Sequence, residues 1–160
     1  MSQKTDVVTG IFDACNKRDW TALARLIPDD FSFYDNTLGT GGIGPQAFVD
    51  HLKFYSARMS DDRVIDIECV ESERLVTAVA SSMGTHDGED FLPGLTASGR
   101  RAGVRFVNLF RFTEQGELAS YEAFWNMLTY LVELGHTTIA PSALRDMHPE
   151  VPPVEAIHYV

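Results

Sequence analysis

Two hydrophobic rhythms divide the chain. Near the N-terminus the apolar residues repeat at helical spacing, and beyond Arg63 they alternate with a period of two. From Lys4 to Lys17, Val8, Ile11, Phe12 and Cys15 fall at i, i+3, i+4 and i+7, the stripe of one helix face. Asp19 stands where a helix cap is wanted, and Trp20, Leu23 and Ile27 continue at helical spacing to Pro28. Phe31 to Asn36 reads as a short strand. Gly39 to Gly44, with glycine at 39, 41, 42 and 44, reads as a flexible connection. Pro45 suits the first turn of a third helix striped by Phe48, Leu52, Tyr55 and Met59, which Ser60, Asp61 and Asp62 close. Arg63 to Glu71 and Leu75 to Thr85 read as strands joined by a polar turn, and His86 to Ala102 as a long loop of the kind that forms lids or mouths of binding sites.

The strongest signal is Val104 to Asn126: VRFVNLFRF, a Gly-containing turn, then LASYEAFWN, a β-hairpin pattern. In its first strand Phe106, Asn108, Phe110 and Phe112 share one face, with Arg105, Val107, Leu109 and Arg111 on the other. In its second strand Ser120, Glu122, Phe124 and Asn126 oppose Ala119, Tyr121, Ala123 and Trp125. Aromatics interrupted by single polar groups suit the floor of a small-molecule pocket, although the pattern does not say which face points inward. Met127 to Leu134 with Gly135 reads as a short closing helix. These elements predict an α+β domain over residues 1–136, with a curved antiparallel sheet packed on three N-terminal helices around a pocket. Residues 137–160, with Pro141, Pro149, Pro152 and Pro153, read as a C-terminal arm.

Charge and cysteine content narrow the partners. The net charge of −10 argues against nucleic acid and anionic membrane surfaces. No signal peptide or membrane-length apolar run is visible, so a cytoplasmic protein is expected, with Cys15 and Cys69 as free thiols. The histidines at 51, 86, 136, 148 and 158 have no close ligand spacing, and there is no nucleotide-binding glycine motif; neither a metal nor another cofactor is expected.

Gly84-Thr85-His86, Gly88, Gly99-Arg100-Arg101, Phe110-Arg111-Phe112, Gly116 and Leu134-Gly135, with the helix–helix–strand opening through Asp35, carry a resemblance over residues 5 to 136. As a set they resemble the SnoaL-like polyketide cyclase family. That resemblance implies the cone-shaped α+β barrel of the nuclear transport factor 2 type, dimerisation through the sheet, and cofactor-free chemistry on small organic molecules. It also implies that the family's usual acid/base aspartate falls at Asn126, a second usual aspartate at Asn108 and a usual tryptophan at Glu122.

The candidates follow from both readings. Glu122, among aromatics, is the first choice for acid/base work. Asp35 is the alternative carboxylate, and His86 the alternative proton carrier. Asn126, Asn108, Tyr34, Phe106, Phe110, Phe124 and Trp125 are expected to line the substrate site, with His51 near its mouth and Arg100 and Arg101 steadying the loop. The expected function is acid/base cyclisation or isomerisation of an apolar, polyketide-like metabolite. The alternatives are a non-catalytic binding or accessory protein, or an epoxide-opening or hydroxylation-type relative.

Overall fold

The structure, a computed structural model, describes residues 3–137; the C-terminal arm expected over 137–160 lies almost wholly outside them. The elements are α1 (Gln3–Lys17), α2 (Trp20–Arg25), β1 (Ser32–Asp35), β2 (Thr40–Ile43), α3 (Gly44–Arg58), β3 (Arg63–Glu71), β4 (Leu75–Thr85), β5 (Arg101–Phe112), β6 (Leu118–Trp125) and α4 (Met127–Leu134). Local signals act where they were expected. The Asp19 carboxylate accepts the Ala22 N–H at 2.9 Å to cap α2. Pro45 sits in the first turn of α3. Gly135 ends α4 in the left-handed conformation, φ 80°.

The six strands form one curved, unclosed sheet in the order β2-β1-β6-β5-β4-β3. The sheet is mixed rather than purely antiparallel. β1 runs parallel to β6, with Tyr34 opposite Glu122 and Asp35 opposite Ala123, while the other pairs are antiparallel. Thr37 extends that junction: its hydroxyl donates to the Trp125 carbonyl at 2.7 Å and accepts the Trp125 N–H at 3.0 Å. The glycine-rich stretch is also not a loose connection. Thr40–Ile43 is strand β2, pairing with β1. Its glycines are needed for close packing, since a Cβ on Gly41 would lie 2.5 Å from the Phe33 carbonyl oxygen.

Helices α1 and α3 cover the inner face of the sheet, Phe12 packing on Phe106 and Phe110 and Phe48 on Phe33 and Tyr121. Val8, Ile11, Phe12, Phe31, Phe48, Phe110 and Tyr121 form the main core. A second core of Met59, Phe91, Ala102, Val104, Tyr130 and Leu134 lies beneath the loop after β4. Arg58 binds that loop to α3. It donates to the Phe54 and Phe91 carbonyls, pairs with Glu89 at 3.3 Å and stacks on the Phe54 ring. Gly88 lets the two backbones meet, because a Cβ there would fall 2.1 Å from the Ala57 carbonyl oxygen. The loop is therefore a packed cover rather than a free lid.

Candidate functional site

Between the helices and the inner sheet face lies a cavity of about 100 Å³. Strand register sets its floor. Asp35, Ala123, Asn108 and Ala78 lie in one row across β1, β6, β5 and β4. The Tyr121–Phe110 row lies on one side of it and the Trp125–Phe106 row on the other. Phe12, Trp20, Phe48, Tyr55 and Tyr130 add aromatic walls. Polar groups enter at a few points: Asp35, Tyr55, Asn108, Tyr121, Asp62 and Ser82 among them.

Asp35 is 1% exposed at the end of β1. Its Oδ1 accepts the backbone N–H groups of Thr37 and Leu38, each at 2.9 Å. Its Oδ2 accepts the Tyr55 hydroxyl at 2.8 Å, and Trp125 Nε1 donates to both oxygens at 3.2 Å. Such a set of donors fixes the orientation of the buried Asp35 side chain. Burial, reinforced by the Asp35 charge, raises the Tyr55 hydroxyl well above its ordinary pKa, so Tyr55 remains a neutral donor.

Asp62 differs. It lies just before β3, half-buried, and its Oδ1 accepts the Ser82 hydroxyl at 2.8 Å. Burial raises its pKa above the ordinary carboxylate value, against the opposing pull of Ser82 and Arg18. It is a cavity carboxyl whose charged form is disfavoured by burial. The Cys15 thiol on the same cavity is pushed up to about 12, chiefly by burial, so it is no nucleophile near neutral pH. Asn16 is occupied structurally, exchanging hydrogen bonds with the Val64 backbone at 2.9 and 2.7 Å.

Asn108 is 3% exposed, and its Oδ1 has no hydrogen-bond partner. Its amide neighbours the Tyr121 hydroxyl, whose pKa burial raises strongly.

A profile of the SnoaL-like polyketide cyclases matches residues 5–134. The chain belongs to that family. Among solved structures, this SnoaL-like chain is similar to AclR of Streptomyces galilaeus, provisionally described as a hydroxylase. The two share 19% identity and a TM-score of 0.75, over 92% of this chain and 94% of that one. It is also similar to IdmH of Streptomyces antibioticus, provisionally described as a polyketide cyclase, with 22% identity and a TM-score of 0.71 over 84% of this chain and 99% of IdmH. A SnoaL-like protein of Shewanella denitrificans gives 17% identity and a TM-score of 0.73, over 86% and 100% of the two chains. These likenesses establish the shared fold. A search of curated protein sequences found no match.

Of the residues expected at the site, Asp35, Asn108, Phe106, Phe110 and Trp125 line the cavity of this SnoaL-like domain. Others do not. Glu122 points to the outer sheet face opposite Leu109 and pairs with Arg111 at 3.3 Å, so it is corrected from cavity carboxylate to surface ion pair. Phe124 (40% exposed) and Tyr34 (47%) share that outer face. The reason is the register: Tyr121, Ala123 and Trp125 face inward, which turns the intervening residues out. Asn126 is exposed and caps α4, its Oδ1 accepting the Thr129 N–H at 3.0 Å.

His86 is fully buried in the loop rather than on the cavity. Its ring meets the Glu89 carbonyl at 3.0 Å and His136 at 3.4 Å. His51 lies beyond Asp35, with Nε2 3.6 Å from Asp35 Oδ2, and faces a separate open groove with Phe33, Leu38, Phe54 and Leu92. Burial lowers its pKa, with Asp35 partly opposing, so the ring is neutral near pH 7. Arg101 pairs with Asp61. Arg100 lies over Gly135, where a Cβ would come 2.8 Å from its guanidinium carbon. Sequence reasoning missed Asp62 and Ser82. Asp62 follows a helix and reads as its terminator, and Ser82 is one polar residue in a long strand.

Proposed function

We propose that this protein is a cofactor-free acid/base enzyme that cyclises or isomerises a polyketide-like small molecule, with Asp62 as the proton-transferring group. The observation that carries the reading is a desolvated carboxyl of raised pKa on an aromatic-walled cavity. In this mechanism the Asp62 carboxylate removes a proton from a carbon next to a substrate carbonyl. The electron pair moves onto the carbonyl oxygen, and the resulting enolate accepts hydrogen bonds from the Asn108 amide or the Tyr121 hydroxyl. Protonated Asp62 then returns the proton to carbon, for isomerisation, or to the alkoxide formed by ring closure. Asp35 is a positioning residue that holds Tyr55 and Trp125 against the substrate.

The test is turnover of a panel of β-keto polyketide-like substrates by wild type and Asp62→Asn. A loss of about 10²–10⁴-fold with an unchanged circular dichroism spectrum is expected for removal of a general base. Wild-type turnover in Asp62→Asn would sink the assignment.

A second reading, a binding or accessory protein without turnover, is favoured by one observation. Asn126, where the resemblance puts the family's usual aspartate, is engaged as a helix cap. Saturable binding with no product from any panel member would support it. Either reading includes a homodimer through the outer sheet face, where Tyr34, Val70 and Phe124 are exposed. Sedimentation equilibrium giving only monomer at micromolar concentration would refute that.

A further inference from the structure

Helix α3 turns two faces to the rest of the molecule. Phe48, Leu52 and Tyr55 line the inner cavity. Ala47, Asp50, His51 and Phe54, at i, i+3, i+4 and i+7, line a separate open groove of about 360 Å³. Phe33 from β1 and Leu92 from the loop after β4 add to its apolar wall. That volume falls within the range of small-molecule sites, roughly 300–1,000 Å³.

His51 is the groove's unsatisfied polar group. Its side chain is 7% exposed, yet it makes no hydrogen bond among the described residues. Nε2 stands 3.6 Å from Asp35 Oδ2, just beyond hydrogen-bond distance. That oxygen already accepts from Tyr55 and Trp125, so the ring edge turned toward it carries the proton. Nδ1 is then an acceptor without a donor. The Phe33 and Tyr55 rings pack against the imidazole at 5.0 and 5.7 Å between centroids, but the Tyr55 hydroxyl is given to Asp35. A buried acceptor of this kind calls for a donor from outside the chain.

Charge decides which donor. Asp50 is exposed on the groove, and Gln46 donates to its Oδ1 at 2.9 Å, while Oδ2 has no partner among the described residues. No lysine or arginine is among the groove's described lining residues. Arg58, one turn beyond Phe54 on α3, stacks on the Phe54 ring and is neutralised by Glu89 at 3.3 Å. An anion would meet repulsion from Asp50, and a neutral ligand would leave that charge unpaired. A cation bearing an N–H satisfies both Asp50 and His51, and aromatic walls favour it further.

We infer that this groove binds a small organic ammonium ion. Its N–H donates to His51, its charge lies against Asp50, and its apolar body packs on Phe33, Phe54 and Leu92. The site is distinct from the Asp62 cavity and does not depend on turnover there.

The experiment is calorimetric titration of the full chain at neutral pH with benzylammonium, benzyl alcohol and benzoate, three single-ring probes that differ in charge. Wild type is expected to bind benzylammonium about tenfold more tightly than benzyl alcohol, the gain of one charge-assisted hydrogen bond, and to give no heat with benzoate. Asp50→Asn should bring benzylammonium down to the level of benzyl alcohol. His51→Phe, which keeps a ring but removes the acceptor, should weaken benzylammonium about three- to tenfold. Asp62→Asn, on the inner cavity, should bind benzylammonium as wild type does. Each variant is checked for a wild-type circular dichroism spectrum; if His51→Phe does not fold, the exposed change Asp50→Asn decides. The inference is overturned by no benzylammonium binding to wild type at millimolar concentration, by benzyl alcohol or benzoate binding as tightly, or by unchanged benzylammonium affinity in folded Asp50→Asn or His51→Phe. Loss of benzylammonium binding in Asp62→Asn would also overturn it, by placing the ligand in the inner cavity, and would leave the acid/base reading of Asp62 standing.

Discussion

Replacing Asp35 separates its role as an acceptor from its charge. In Asp35→Ala the donors now satisfied by the carboxylate, namely the Thr37 and Leu38 N–H groups, the Tyr55 hydroxyl and the Trp125 indole N–H, all lose their partner. Asp35 is 1% exposed, so solvent does not replace it without rearrangement. Removing the acceptor from such a buried network costs about 4 kcal/mol. For a chain of 160 residues, about 3 °C per kcal/mol gives a melting temperature lower by about 12 °C. Asp35→Asn is milder. Its Oδ1 still accepts the two backbone N–H groups, and its Nδ2 can donate to Tyr55 once that hydroxyl turns. The Trp125 N–H keeps Oδ1 as an acceptor but meets Nδ2 in place of the second oxygen, at a cost of about 1–2 kcal/mol. Urea denaturation followed by tryptophan fluorescence and far-ultraviolet circular dichroism reads both values, and coincident transitions validate the two-state treatment. An Asp35→Ala variant within 1 kcal/mol of wild type, or an Asn variant less stable than the Ala variant, would refute the view of Asp35 as a saturated structural acceptor.

Other expectations follow from the same geometry. Glu122→Gln should change stability by less than ~0.5 kcal/mol, because its partner Arg111 is half exposed, and should leave any turnover at the wild-type level; a large loss of turnover would return Glu122 to the chemistry. Phe91→Ala should cost about 3 kcal/mol and loosen the loop, since Phe91 is fully buried against Phe54, Trp125 and Tyr130; unchanged denaturation midpoints would mean that the loop does not pack as described. Because the Asp62 pKa is raised on folding, its contribution to stability is fully present below the ordinary carboxylate value of 3.8 and is lost as pH rises through the folded value. Asp62→Asn should therefore be more stable than wild type at pH 7, with the difference shrinking as pH falls toward 3.8. A difference that grows on acidification would reverse the sign of this linkage.

Local chemistry explains what was legible in the sequence. Strands β3 and β4 and helix α4 begin and end where the alternation, the Ser72–Glu73 turn and Gly135 indicate. The hairpin was legible as a pocket floor, but its faces were not. β6 carries aromatics on both sides, and the outer row of Tyr34, Glu122, Leu109, Thr77 and Val70 mixes apolar and polar residues in sequence much as the inner row of Asp35, Ala123, Asn108 and Ala78 does. That ambiguity put Glu122 and Phe124 among the cavity residues. β2 was hidden because Thr-Gly-Gly-Ile has no alternation to read, its glycines answering the closeness of Phe33. The parallel β1–β6 pairing joins segments far apart in sequence, and no local pattern encodes it. Asp62 was hidden for a related reason: its neighbours in sequence are polar and helix-ending, while its raised pKa comes from burial against the sheet.

The most direct test of the account is the titration of Asp62 itself, followed by carboxyl carbon-13 resonances in the full chain and assigned by its loss in Asp62→Asn. The account predicts a midpoint clearly above 3.8, the ordinary value. A midpoint at or below 3.8 would mean that the cavity does not desolvate this carboxylate, and would contradict the claim that Asp62 is the acid/base group.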